Sequence, residues 1–151
     1  MNKLLQPNVV TLSLDNNVIG DAGCQLVAGS IPSLHHLSCL NLSFNQIGSR
    51  RGITSLMRAL IICESIQRLG LSGNVMRISG AIAMGFALAQ HPRLSVLELD
   101  NCFLSQVIQC HIAAGIISNR WVPMRSLHGC QVAPVMDVGS LKYLRTMLPQ
   151  F

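Results

Sequence analysis

Val9-x-x-Leu12-x-Leu14-x-x-Asn17 opens a phrase that returns as Leu37-x-x-Leu40-x-Leu42-x-x-Asn45, Ile66-x-x-Leu69-x-Leu71-x-x-Asn74 and Leu94-x-x-Leu97-x-Leu99-x-x-Cys102. The four starts lie 28, 29 and 28 residues apart. A fixed period of this length marks a solenoid, in which each coil buries its apolar face only by stacking on the next. Alternation across Leu-x-Leu has the period of a short strand with one buried face. The closing asparagine carries a donor and an acceptor on one amide, so it can satisfy turn backbone that no sheet ladder reaches. Stacked from coil to coil, Asn17, Asn45 and Asn74 form a buried ladder. Cys102 continues it with a small, weakly donating thiol.

Glycine-containing turns follow the three asparagine phrases, at Gly20, Gly48 and Gly80, and all four phrases are followed by stretches long enough for helices: Cys24 to Ser30, Ile53 to Cys63, Ala81 to Gln90 and Ser105 to Ser118. Pro32 and Pro92 cannot continue a helix and sit shortly before the next strand. Parallel strands alternating with helices in a right-handed sense curl into an arc, because a helix is wider than a strand.

Phrase, period and in-phase asparagines together resemble the leucine-rich repeat family, of the long subtype seen in ribonuclease inhibitor and in nucleotide-binding immune receptors. The resemblance covers residues 8 to about 118. It implies an α/β fold, a right-handed horseshoe with a parallel concave sheet and convex helices. One domain is expected over 1–151, with regular repeats at 9–36, 37–65, 66–93 and 94–121. A degenerate fifth repeat and cap occupy 122–151, where Arg125 stands in place of a strand leucine and Val138, Leu141, Leu144 and Leu148 suggest a closing helix over 136–148. At the other end the first six residues are a thin cap. The chain is therefore expected to belong to a longer array or to self-associate through an uncapped end.

Composition narrows the function classes. Half the 151 residues are apolar and only 11% are charged, enough for a continuous core. No apolar stretch reaches the roughly 20 residues that span a bilayer, and the first residues lack the apolar run of a secretory leader. Six scattered cysteines without a C-x-x-C pair fit reduced thiols and a cytoplasmic setting. The net charge is +5, but the basic residues are dispersed, so no nucleic-acid stripe is expected. His111 beside Cys110 is half a zinc site without a second half, and no metal, cofactor or catalytic residue is assigned. His35-His36 read as a solvated turn and Trp121 as packing over the last regular coil.

If strands line the concave side, the residues between the leucines project there in columns. The first is Thr11, Cys39, Arg68 and Val96; the second Ser13, Asn41, Gly70 and Glu98; the third Asp15, Ser43, Ser72 and Asp100; the fourth Asn16, Phe44, Gly73 and Asn101. This face is the expected contact surface for another protein. An alternative follows from the resemblance, since activators of the small GTPase Ran share the subtype and act from loops. Arg50-Arg51, read as loop residues, are the one feature that suggests it.

Overall fold

A computed structural model describes residues 8–120 and 126–128. Five three-residue strands form one parallel sheet in sequence order: β1 Thr11–Ser13, β2 Cys39–Asn41, β3 Arg68–Gly70, β4 Val96–Glu98 and β5 Ser126–His128. The helices between them are α1 Gly20–Ser30, α2 Arg50–Ile62, α3 Ile78–Gln90 and α4 Gln106–Ser118. Pairing is in phase with the sequence repeat from Leu12 to Leu40 to Leu69 to Leu97, but β5 departs from the expected register by two residues: Leu127 pairs with Leu97, in the place the sequence reading gave to Arg125. Cap residues 136–148, Trp121 and Cys130 lie outside the described residues.

Each helix except α4 starts three or four residues earlier than the sequence suggests. For α2 the reason is local: Ser49 is extended, and its hydroxyl accepts from Gly52 N at 3.2 Å, capping a helix that begins at Arg50. Arg50-Arg51 are thus first-turn helical residues and not part of a free loop, a correction to the sequence reading. The Asp21 carboxylate of α1 reaches the same cap, accepting from Gly48 N (3.0 Å) and Ser49 N (2.8 Å). Burial works to raise the Asp21 pKa, but those bonds, the Ser49 hydroxyl and the Arg77 charge together hold it below the ordinary carboxylate value.

The core is one continuous stack. Leu40, Leu69 and Leu97, then Leu42, Leu71 and Leu99, are fully buried. From the helix side they meet Ile53, Leu56, Leu60, Met84, Leu88, Ile108 and Ile112. Each such side chain contributes about 1.5–3 kcal/mol by leaving water. Leu12 and Leu14 of the first repeat are only partly covered, because no coil lies beyond them among the described residues.

The asparagine ladder is present. The amide nitrogen of Asn74 donates to Leu42 O (2.8 Å) and Leu71 O (2.9 Å), and its oxygen accepts from Asn45 N (3.1 Å) and Ile47 N (3.0 Å). Asn45 repeats the pattern one coil earlier, donating to Leu14 O and accepting from Asn17 N. The Cys102 thiol takes the donor's place, reaching Leu71 O at 3.2 Å. As an acceptor it is weaker than an amide oxygen: Asn74 N also bonds Leu71 O, and Met76 N bonds Cys102 O. The expectation for Asn17 needs correction. It is exposed at the open edge, although its amide still donates to Leu14 O and Asp15 O.

A second ladder, absent from the sequence reading, holds the opposite corner of each coil, where helix returns to strand. Cys63 Sγ points to Leu34 O, His91 Nε2 donates to Cys63 O at 3.2 Å, and the Asn119 amide donates to His91 O at 2.9 Å. The Nδ1 atom of His91 accepts from Leu94 N at 2.9 Å and Arg93 N at 3.2 Å, which fixes the neutral tautomer protonated on Nε2. Burial pushes the His91 pKa down, against opposing contributions from Cys63 O, Glu64 and Leu60 O.

Two stability predictions follow from the ladders. Asn74→Ala strands four buried backbone partners and should cost about 3–5 kcal/mol, whereas Asn17→Ala at the wet edge should cost under about 1 kcal/mol; urea unfolding of both variants measures the contrast. The folded pKa of His91 lies below the unfolded value near 6.5, so its contribution is complete above that value. As pH falls from there toward the folded pKa, the unfolded chain takes up the proton first and stability is lost. His91→Gln should flatten the decline of urea midpoints between about pH 7.5 and pH 5.5.

Candidate functional site

The strand residues that alternate with the buried leucines emerge on the face opposite the helices, and the pairing aligns them into the expected columns. Thr11, Cys39, Arg68 and Val96 are direct partners, as are Ser13, Asn41, Gly70 and Glu98. Stacking continues past the strands through Asn16 N to Ser43 O, Phe44 N to Ser72 O and Gly73 N to Asp100 O. The third and fourth columns are therefore also in phase.

Not every column member offers a surface. Ser43 and Ser72 are buried, and they serve the turns: Ser43 N bonds the Asn41 side chain, and the Ser72 hydroxyl accepts from Asp100 N at 3.1 Å. Gly70 is buried as well. Thr11, Ser13, Asn16, Phe44, Arg68, Asp100 and Asn101 are exposed, while Cys39, Asn41, Val96, Glu98 and Asp15 are partly covered.

The fourth column has a backbone constraint that the sequence did not suggest. Asn16, Phe44, Gly73 and Asn101 all hold the left-handed conformation, with φ of 57°, 55°, 68° and 56°. Asparagine and glycine accept it readily, whereas an aromatic residue there is strained. The ring of Phe44 lies across Gly73, where an added Cβ would fall 2.2 Å from it. Gly73 thus meets two demands, the φ and the space.

Charges on the face are ordered by short polar contacts. Arg68 forms a two-pronged contact with Glu98, its Nε at 3.1 Å and its terminal nitrogen closer. Gly70, paired with Glu98, has no side chain, and the space one would take is occupied by the Asn41 amide. Asp15 accepts from the Ser13 hydroxyl and the Asn16 amide, which together lower its pKa.

Other candidates resolve as structural. Desolvation, reinforced by the Asp21 charge, pushes the Cys24 thiol up to about 12, and burial also raises Cys102. Both are inert as nucleophiles at neutral pH. His35 and His36 are exposed in a turn, and among the described residues no three His, Cys, Asp or Glu side chains gather at metal-binding distance. Among the described residues no helix is long and apolar enough to cross a membrane. The sequence reading did not foresee the outer face of α3, where Ile78, Ile82 and Phe86 stand exposed at four-residue spacing beside Phe103 and Val107. That helix is apolar on all sides, so the pattern alone could not show which residues face outward.

Comparison with known proteins agrees with this geometry. A leucine-rich repeat family model matches residues 6–28 and 33–50. Human (Homo sapiens) leucine-rich repeat-containing protein 73 is 36% identical over 81 residues, 54% of this chain and 24% of that protein. Ribonuclease inhibitor of Sus scrofa is 30% identical over 118 residues, 76% of this chain and 25% of the inhibitor. The matched region spans about a quarter of each relative's length. Among solved structures, the tropomodulin C-terminal domain of Caenorhabditis elegans superposes with a TM-score of 0.64 at 12% identity, covering 93% of this chain and 89% of that one. At that identity the likeness is one of fold. In-phase leucines, the buried asparagines and the parallel five-stranded arc make this chain a leucine-rich-repeat protein with repeats of the ribonuclease-inhibitor-like subtype.

Proposed function

We propose that this chain is a non-enzymatic protein-protein interaction module, a rigid scaffold that presents its concave face to another protein in the cytoplasm. The carrying observation is the register of the sheet, which aligns exposed polar side chains and one half-exposed aromatic, Phe44, into a continuous surface outside the core. Free Cys24, Cys39, Cys63, Cys102 and Cys110 support the reducing compartment. Specificity in such a fold belongs to the side chains it displays and not to the coil.

Regulation of a small GTPase is the second reading and rests on Arg50-Arg51. Their position in the first turn of α2, where the backbone is held by the Ser49 cap and Asp21, favours the scaffold. Single-turnover GTP hydrolysis with the full chain should be unchanged. Acceleration abolished by Arg51→Ala would establish the second reading instead.

A photo-crosslinking residue placed at Thr11 or Ser13 should capture a partner in cells, and one placed at Gln25 on α1 should not; capture from Gln25 alone would remove the concave face from consideration. Phe44→Gly relieves the left-handed strain while removing a half-exposed ring, so its urea stability should stay within about 1 kcal/mol of the parent. Its crosslinking yield should fall about tenfold, in keeping with the loss of a central aromatic anchor.

A further inference from the structure

Acids and cations are segregated in this protein. Among the described residues, three of the five acids, Asp15, Glu98 and Asp100, stand in the concave columns, whereas of the seven arginines only Arg68 does. The other described cations lie on helices or in turns away from the sheet face: Arg50, Arg51 and Arg58 on α2, Arg77 before α3, Arg93 after it and Arg120 after α4. Arg68 and Glu98 neutralise each other. Among the described residues, Asp15 and Asp100 are left as the net charge of the four columns, opposite in sign to the +5 of the whole chain.

Asp15 and Asp100 belong to the same column, three strands apart. With adjacent strands about 4.8 Å apart, they are separated by about 14 Å. Phe44 stands in the adjacent fourth column, on a repeat between theirs, with its ring leaning over Gly73. An extended chain repeats its same-side residues every 6.6–6.8 Å or so, and residues i, i+2 and i+4 span about 13 Å. The two spacings match, and the flexible stem of a lysine or arginine absorbs the difference.

We infer that Asp15 and Asp100, with Phe44 of the neighbouring column between their repeats, form a docking row for an extended basic segment of a partner protein with the pattern cation-x-apolar-x-cation. The two cations pair with Asp15 and Asp100, and the apolar residue rests on the Phe44 ring. Asn16 and Asn101 flank the row with amides that can bond the segment's backbone. Charge complementarity selects this occupant: an acidic segment would meet two carboxylates, and the basic surfaces elsewhere on the chain would draw it away from the face. The inference rests on the concave-face reading and specifies the partner chemistry for it.

The test is a titration of the isotope-labelled full chain with the peptide Gly-Lys-Ser-Leu-Ser-Lys-Gly, blocked at both ends and followed by amide chemical shifts. Saturable shifts are expected at Asp15 to Asn17 and at Asp100 to Asn101. Affinity should fall about fivefold in Asp15→Asn and again in Asp100→Asn, which keep the turn's hydrogen-bonding capacity. It should also weaken as salt is raised to about 0.3 M. A peptide with serine in place of leucine should bind more weakly, and one with glutamates in place of the lysines should not bind. Equal binding of the glutamate peptide, indifference to both substitutions, shifts confined to α3, or no shift at about 5 mM peptide would overturn the inference. If crosslinking from Thr11 captures a partner while the peptide fails, the docking chemistry falls and the concave-face reading stands. If neither responds, both fall.

Discussion

The structure depends on buried side-chain amides at the ends of very short strands. A parallel strand of three residues offers few ladder bonds, and the chain must turn while still surrounded by core. Four backbone groups around Asn74 would then be orphaned, each at about 1–3 kcal/mol. One asparagine binds all four and draws three of them from the neighbouring coil, so it stitches coils together as well as closing its own turn. Leu42 and Leu71 can be fully buried because this amide lets their carbonyls enter the core already bonded.

The second ladder serves the opposite corner with different chemistry. A thiol, an imidazole and an amide occupy Cys63, His91 and Asn119, each pointing at a carbonyl one coil back. With both corners of the coil fixed, the outward faces of the helices are released from structural duty and diverge. The α2 helix displays Arg50, Arg51 and Arg58, while α3 displays Ile78, Ile82 and Phe86.

How much of this the sequence shows depends on whether one residue type repeats. Leu40, Leu69 and Leu97, with Asn45 and Asn74, repeat a single chemistry at a single spacing, so the fold and the column register can be read directly. The Cys63–His91–Asn119 ladder repeats a geometry with three residue types, and no pattern of letters reveals it. Phe44 shows another limit: its left-handed backbone opposes local preference and is imposed by the neighbouring turns, whose Asn16 and Asn101 do suit it. Burial of Ser43 and Ser72 was hidden for the same reason, since a serine two places before a ladder asparagine reads as exposed until its hydrogen bonds are known. Helix starts were misplaced because Arg50 and Ile78 do not look like first-turn residues, and α2 owes its start to Ser49 and a carboxylate 28 residues away.

Gly85 and Gly115 bring the backbones of α3 and α4 nearly into contact, an added Cβ at Gly115 falling 2.2 Å from Gly85 O. Strand spacing is set by hydrogen bonds and does not change, so drawing these two helices together removes much of the wedge angle between their coils. Close helix packing at this joint thus works against the curl that helix width imposes on the coils. A side chain at either glycine would have to push the two coils apart.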